Sequence, residues 1–213
     1  MNENAYREAI CRLGRSLFDR GYTHGASGNI SVRLEDGGFL VTPTNVSMGD
    51  LDPQALSRLD GQGQLISGPP PTKEVSLHSA LYRSRRGSGA VVHLHSTHSV
   101  AVSMLPDVDP TDVLPPLTAY YLMKVGRTAL LPYFRPGDPA MGAAVEALDG
   151  VYSSILLANH GPVVAGDTLL EAGYAIEELE QTAKLHLLLR HERPRLVPQA
   201  EVDFFRSLAP VKP

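Results

Sequence analysis

Ser31-Val32-Arg33-Leu34-Glu35-Asp36-Gly37-Gly38-Phe39-Leu40-Val41-Thr42 is the stretch whose reading decides the fold. Two short runs, residues 31–34 and 38–42, flank the turn-forming Glu35-Asp36-Gly37, and this pattern predicts an antiparallel hairpin. A second hairpin is predicted around Asp60-Gly61-Gln62-Gly63. Upstream, Ala9, Ile10, Leu13 and Leu17 recur at helical spacing within residues 3–20, and Gly21 supplies the stop. Downstream, the rigid Gly68-Pro69-Pro70-Pro71 leads into a helix over residues 74–82. Residues 90–95 read as a buried β-branched strand, followed by a helix through Met104 and a proline-rich connection over 105–116. Residues 153–158 form another buried strand, whose return begins at 161–165. Thr168 with Glu171 three residues later makes a capping box for a long helix to about His191. Its apolar stripe is Leu169, Ala172, Ile176, Leu179, Ala183 and Leu187. Hairpins mixed with helices predict an α/β protein with a mostly antiparallel sheet covered by helices, rather than a doubly wound nucleotide fold. No glycine-rich dinucleotide or P-loop pattern follows any strand.

At 213 residues, the expectation is one domain over residues 1–213 with a substantial core. Apolar and charged fractions of 43% and 20% exclude disordered and collagen-like classes. A net charge of −4 argues against a nucleic-acid partner, which needs a basic face, but leaves room for a local phosphate pocket. The lone Cys11 allows no internal disulfide and reads as an inert thiol in an apolar helix. No signal-peptide pattern opens the sequence and no apolar run reaches ~18 residues, so the expected address is a reducing cytoplasm with no membrane association.

The chemistry concentrates at Val91-Val92-His93-Leu94-His95-Ser96. Residues two apart on a strand share a face, so His93 and His95 can converge on one point. Two neutral imidazoles on rigid backbone make half of a metal site, although an isolated pair equally suits two separately bonded histidines. His98 reads as an outer or structural residue. A second cluster, Ala158-Asn159-His160-Gly161-Pro162, puts a histidine at a strand end, where sites are commonly built. With His93 and His95 it completes three nitrogens, and three protein ligands leave open positions for catalysis. In Pro70-Pro71-Thr72-Lys73-Glu74, Thr72 can cap the next helix and Glu74 falls in its first turn. The helix dipole favours a carboxylate there whatever its function; the functional reading makes Glu74 the proton-transfer group beside a metal. His78 reads as a core or outer-shell histidine. Thr23-His24-Gly25-Ala26-Ser27-Gly28-Asn29 lets a ligand approach the backbone, and Thr42-Pro43-Thr44-Asn45 faces it as a counterpart.

These segments, in this order (GASGNIS, TPTN, PPTKE, HLHS and NHG), resemble the class II aldolase/adducin family from about Tyr6 to Leu189. The resemblance implies a three-layer α/β/α fold with a mostly antiparallel central sheet, and a homotetramer with sites between subunits. It implies that His93, His95 and His160 bind a divalent metal, zinc first with manganese or cobalt as alternatives, and that Glu74 handles protons. It places Gly28, Asn29, Thr44, Asn45, Thr72 and Lys73 at the phosphate end of the substrate. A tyrosine from a neighbouring subunit, Tyr120 or Tyr121, is expected to complete the site. The family's sugar-phosphate aldolases and pentulose-phosphate epimerases commonly carry Ser-Ser where this chain has Thr72-Lys73, and Thr-Gly where it has Thr44-Asn45. An extra cation suits a substrate bearing a carboxylate besides its phosphate. The combination is similar to the family's decarboxylases of 3-oxo-tetronate 4-phosphates, which would release carbon dioxide through a metal-stabilised enediolate. Sugar-phosphate aldolase or pentulose-phosphate 4-epimerase activity is the alternative, and a non-catalytic adducin-like interaction domain a more distant one.

Overall fold

In the computed structural model, which describes residues 2–208, the chain begins with a capped helix. The Asn2 side chain accepts from the Ala5 amide and starts α1 (Glu3–Asp19), which buries Ile10, Gly14 and Leu17 along one stripe. The first predicted hairpin forms as β1 (Asn29–Arg33) and β2 (Phe39–Val41), with Val32 opposite Leu40. The second forms as β3 (Ser57–Leu59) and β4 (Leu65–Ser67). Then come α2 (Val75–Ser84), β5 (Ala90–His93), α3 (Thr97–Ser103), α4 (Ala119–Lys124), β6 (Thr128–Leu131) and α5 (Pro139–Glu146). The chain continues through β7 (Ser154–Leu157), β8 (Gly161–Gly166), α6 (Leu169–Leu188) and α7 (Gln199–Leu208).

One eight-stranded sheet runs β4-β3-β2-β1-β5-β8-β7-β6. Every neighbouring pair is antiparallel except β6 and β7. The alternation of side chains divides the core between the two faces. Ile30, Val32, Val92, Leu94 and Val164 pack with Ile10 and Leu17 of α1 and Ile176 and Leu179 of α6. Val41, Val91, Ile155 and Val163 pack on the other face with Leu77 and Leu81 of α2 and Met141 of α5. The expected three layers are therefore present. Cutting a fully buried leucine such as Leu77 to alanine removes about 2–5 kcal/mol of stability.

The capping box at the head of α6 is complete, with Thr168 accepting from the Glu171 amide and the Glu171 carboxylate accepting from the Thr168 amide. Several boundaries differ from the sequence reading. The strand predicted over 90–95 ends at His93, because Leu94 makes one further bond to Pro162 and the chain then turns into α3. Helix α6 stops at Leu188 rather than near His191. Helices α4, α5 and α7 and strand β6 were not anticipated. The Asp138-Pro139 start of α5, an N-cap followed by proline in the first turn, was a readable signal. β6 offered only four residues beside a proline, too few for a period. None of the described helices is long and apolar enough to cross a membrane.

Candidate active site

Strand register assembles the site. Asn29 opens β1 directly opposite His93 at the end of β5, and His93 also lies opposite Val163 of β8. The start of β1, the end of β5 and the turn before β8 thus meet at one end of the sheet. Two glycines permit that junction. A side chain on Gly28 would stand 2.8 Å from the His93 carbonyl oxygen, and one on Gly161 would stand 2.2 Å from that of Leu94. Both lie far inside any real contact, so these positions need glycine before any ligand is considered. Asn159 takes a left-handed conformation, with φ of 56°, and turns His160 back toward β5.

His93, His95 and His160 meet edge to face, with ring centroids 4.7–5.0 Å apart. His93 is fully buried, with Nδ1 2.8 Å from the Pro162 carbonyl oxygen. A carbonyl only accepts, so Nδ1 carries the proton and Nε2 turns a bare lone pair into the cluster. Burial lowers the proton affinity of His93, and burial together with its neighbours His93 and His160 pushes His95 down to about 3. Neutral imidazoles are the form a metal requires.

Glu74 closes the cluster from α2. Its Oε2 lies 3.3 Å from His93 Nε2 and its Oε1 lies 3.1 Å from His160 Nε2. Contrary to the sequence reading, Glu74 occupies the N-cap position instead of the first turn, and its side chain makes no capping bond. It turns inward to the imidazoles. Thr72 does not cap the helix either; its Oγ1 accepts from the Glu74 amide at 3.3 Å and from Asn29 Nδ2 at 3.1 Å. Burial alone would raise the Glu74 pKa, but contact with His93 and His160 and the bond from Asn29 outweigh it and keep the carboxyl below its usual range. Carboxylate and imidazole acceptor atoms from Glu74, His93, His95 and His160 lie within 4.8 Å of one another. A bare imidazole lone pair facing a carboxylate is repulsive, and Glu74 Oε1 and His160 Nδ1 have no hydrogen-bond partner among the described residues. One cation would relieve the facing lone pairs and the unpartnered Glu74 Oε1, so the donor set fits a divalent metal.

The predicted phosphate residues lie on three adjoining loops. The Thr72 amide donates to the Thr42 carbonyl and the Thr44 amide to the Pro70 carbonyl, both at 3.1 Å, which zips residues 42–45 to 70–74. Asn29 joins them through Thr72. Asn45 is exposed with φ of 58°, Thr44 is half-buried, and Lys73 is exposed between the buried Thr72 and Glu74. The structure separates the two tyrosines. Tyr121 is 1% exposed with its hydroxyl 3.2 Å from Thr128 Oγ1, a core position that no other chain can reach. Tyr120 is 63% exposed and lines a surface groove with Tyr22, Lys124 and Tyr174. Tyr121 packs in the core that α1 and α6 cover, and among the described residues no histidine lines the Tyr120 groove.

His98 stays outside the cluster. Glu180 accepts from the His98 and Ser99 amides and contacts His98 Nδ1 at 2.8 Å, thereby capping α3. Nothing in the sequence pointed to that pairing across 82 residues. Nor did any local signal show that the Asn29 amide is committed to Glu74, at 2.8 Å.

A helix-covered antiparallel sheet with three histidines and a glutamate at one end defines a metal-centred class II aldolase-type fold. The family model for the class II aldolase and adducin N-terminal domain matches residues 8–187, and the chain belongs to that family. The chain is 49% identical over 188 residues to a 3-oxo-tetronate 4-phosphate decarboxylase of Cupriavidus necator, covering 88% of this chain and 86% of that one. To an L-fuculose phosphate aldolase of Methanococcus maripaludis it is 34% identical over 183 residues, covering 85% and 94%. The crystal structure of YgbL from Escherichia coli superimposes with a TM-score of 0.93 at 44% identity, covering 96% of this chain and 99% of that one.

Proposed function

We propose that this chain is a 3-oxo-tetronate 4-phosphate decarboxylase that yields dihydroxyacetone phosphate and carbon dioxide. The observation that carries the reading is the buried Glu74 carboxylate set among three imidazoles at the sheet end, beside three polar loops. The greater identity to a decarboxylase than to an aldolase, and Lys73 immediately before Glu74, support this leaving group over an aldehyde.

His93, His95 and His160 would hold the metal, with zinc the best match to an all-imidazole set. When bound, such an ion supplies Lewis acidity toward the electrons that decarboxylation leaves on the keto oxygen. The residues do the rest. Gly28, Asn29, Thr44, Asn45, Thr72 and Lys73 bound the region where the phosphate and carboxylate would anchor. As the bond to the carboxyl carbon breaks, its electron pair becomes the new carbon–carbon double bond, and one proton must then reach the carbon that lost carbon dioxide. Glu74 would deliver it. In the free protein the Asn29 amide donates to the Glu74 carboxylate and helps hold it ionised. To deliver a proton Glu74 must first take one up, and burial is the influence that favours its protonated form.

A homotetramer in which the exposed Tyr120 reaches a neighbouring site belongs to the same reading, as does a reducing cytoplasm for the lone Cys11. Incubating the purified protein with a panel of keto-acid phosphates and aldol donors, while following carbon dioxide and triose phosphate, tests it. Triose phosphate with an aldehyde and no carbon dioxide would return the aldolase reading.

A further inference from the structure

A buried polar chain runs away from Glu74 through Asn29. Its members are Asn29, His78, Ser31 and Tyr82, none more than 6% exposed. Asn29 Nδ2 lies 2.8 Å from Glu74 Oε2 and 3.1 Å from Thr72 Oγ1. Asn29 Oδ1 lies 2.5 Å from His78 Nε2. Ser31 Oγ lies 2.7 Å from His78 Nδ1 and 2.8 Å from the Tyr82 hydroxyl.

Donor and acceptor counting gives this chain one direction. An ionised carboxylate only accepts, so the Asn29 amide must turn its NH2 to Glu74 and Thr72 and its oxygen to His78. That oxygen also only accepts, so His78 Nε2 must carry the proton. His78 is fully buried, and burial pushes its pKa down to about 3, so the ring is neutral and Nδ1 is a bare acceptor. The Ser31 hydroxyl therefore donates to Nδ1, and the Tyr82 hydroxyl donates to Ser31. In the other tautomer Nε2 would face the Asn29 oxygen as an acceptor. Relieving that clash by turning the amide would aim its oxygen at Glu74 Oε2. All four side chains are buried, so bulk solvent does not offset either mismatch.

We infer that His78 is a positioning residue, which as its Nε2–H tautomer locks the Asn29 amide and so fixes the proton-transferring carboxylate of Glu74. The inference rests on the reading of Glu74 given above. By pinning Oε2, which also lies 3.3 Å from His93 Nε2, the chain fixes the rotation of the carboxylate and leaves Oε1, 3.1 Å from His160 Nε2, to carry the proton. Asn29 thereby gains a role in orienting the acid, beyond any contact with phosphate.

The test has two arms. First, nitrogen-15 NMR of histidine-labelled protein, metal-free and zinc-loaded, should show His78 neutral with its proton on Nε2 at neutral pH. A proton on Nδ1 overturns the proposal, whether or not the protein turns over any substrate. Second, His78→Leu should lower kcat about 10- to 100-fold with metal content kept, the size typical of lost outer-shell orientation. KM should stay within about threefold, since the group oriented acts on the transition state. His78→Gln, whose amide can still donate to Asn29, should recover kcat to within about fivefold. In a Glu74→Gln background, His78→Leu should cost less than about threefold, because the two residues act as a unit. A full additive loss there, or wild-type kcat in His78→Leu, overturns the proposal. Should His78→Leu fail to fold, the glutamine variant and the tautomer decide. Absence of decarboxylation by the wild type would remove the proposed reaction but leave the NMR result standing.

Discussion

His93 Nε2 and His95 Nε2 stand 3.1 Å apart, although the strand that carries His93 ends at that residue. With His93 Nδ1–H committed to Pro162, the pair holds either one shared proton or a common cation. The wild-type protein is expected to retain one divalent ion per chain by elemental analysis. His93→Ala, His95→Ala and His160→Ala should each weaken retention against a chelator by at least about tenfold. His98→Ala should not, because Glu180 holds that ring elsewhere.

Glu74→Gln should keep the metal and cut turnover about 100- to 10,000-fold, since an amide occupies the same space but carries no transferable proton. Steady-state kinetics beside metal analysis checks this, and near-normal kcat would remove Glu74 from proton transfer.

The tyrosines separate stability from catalysis. Tyr121→Phe removes a buried hydroxyl from Thr128, so denaturant titration should show a loss of about 0.5–1.5 kcal/mol with kcat unchanged. Tyr120→Phe should leave stability intact and lower kcat about 100-fold if it completes a neighbour's site. Mixed oligomers of Tyr120→Phe and Glu74→Gln chains should then regain activity that neither parent has.

Lys73→Ser should weaken a keto-acid phosphate more than a sugar phosphate lacking the carboxylate. A charge-assisted bond is worth about 1.5–3 kcal/mol, or roughly ten- to a hundredfold in relative kcat/KM. Equal losses on both substrates would make Lys73 a plain phosphate ligand.

Acid should destabilise the metal-free fold. His78 ordinarily titrates near 6.5 but is pushed to about 3 in the folded chain, so between those values the unfolded state binds a proton that the folded state does not. Stability attributable to this ring is thus fully present above 6.5 and falls as pH drops, by about 1.4 kcal/mol per pH unit. Urea titrations from neutral to mildly acidic pH should show that slope diminished in His78→Gln.

Several features were legible in the sequence because their physics is local. Residues 31–42 carried their own turn, Thr168 and Glu171 their own capping box, and His93 and His95 their shared direction through the two-residue period of extended chain. The motif order also gave the family, and with it the three histidines and Glu74. What sequence periodicity could not supply was everything fixed by strand register between distant segments. Pairing of β5 with β8 puts Pro162 on His93 across 69 residues and so sets its tautomer. Pairing of β1 with β5 puts Asn29 beside His93, where its amide meets Glu74. Tyr120 and Tyr121 are adjacent and chemically identical in the sequence, and only the packing of α4 buries one and exposes the other. The sequence by itself determined which groups could do chemistry. The tertiary structure decided which way each one points, because orientation depends on partners tens of residues away.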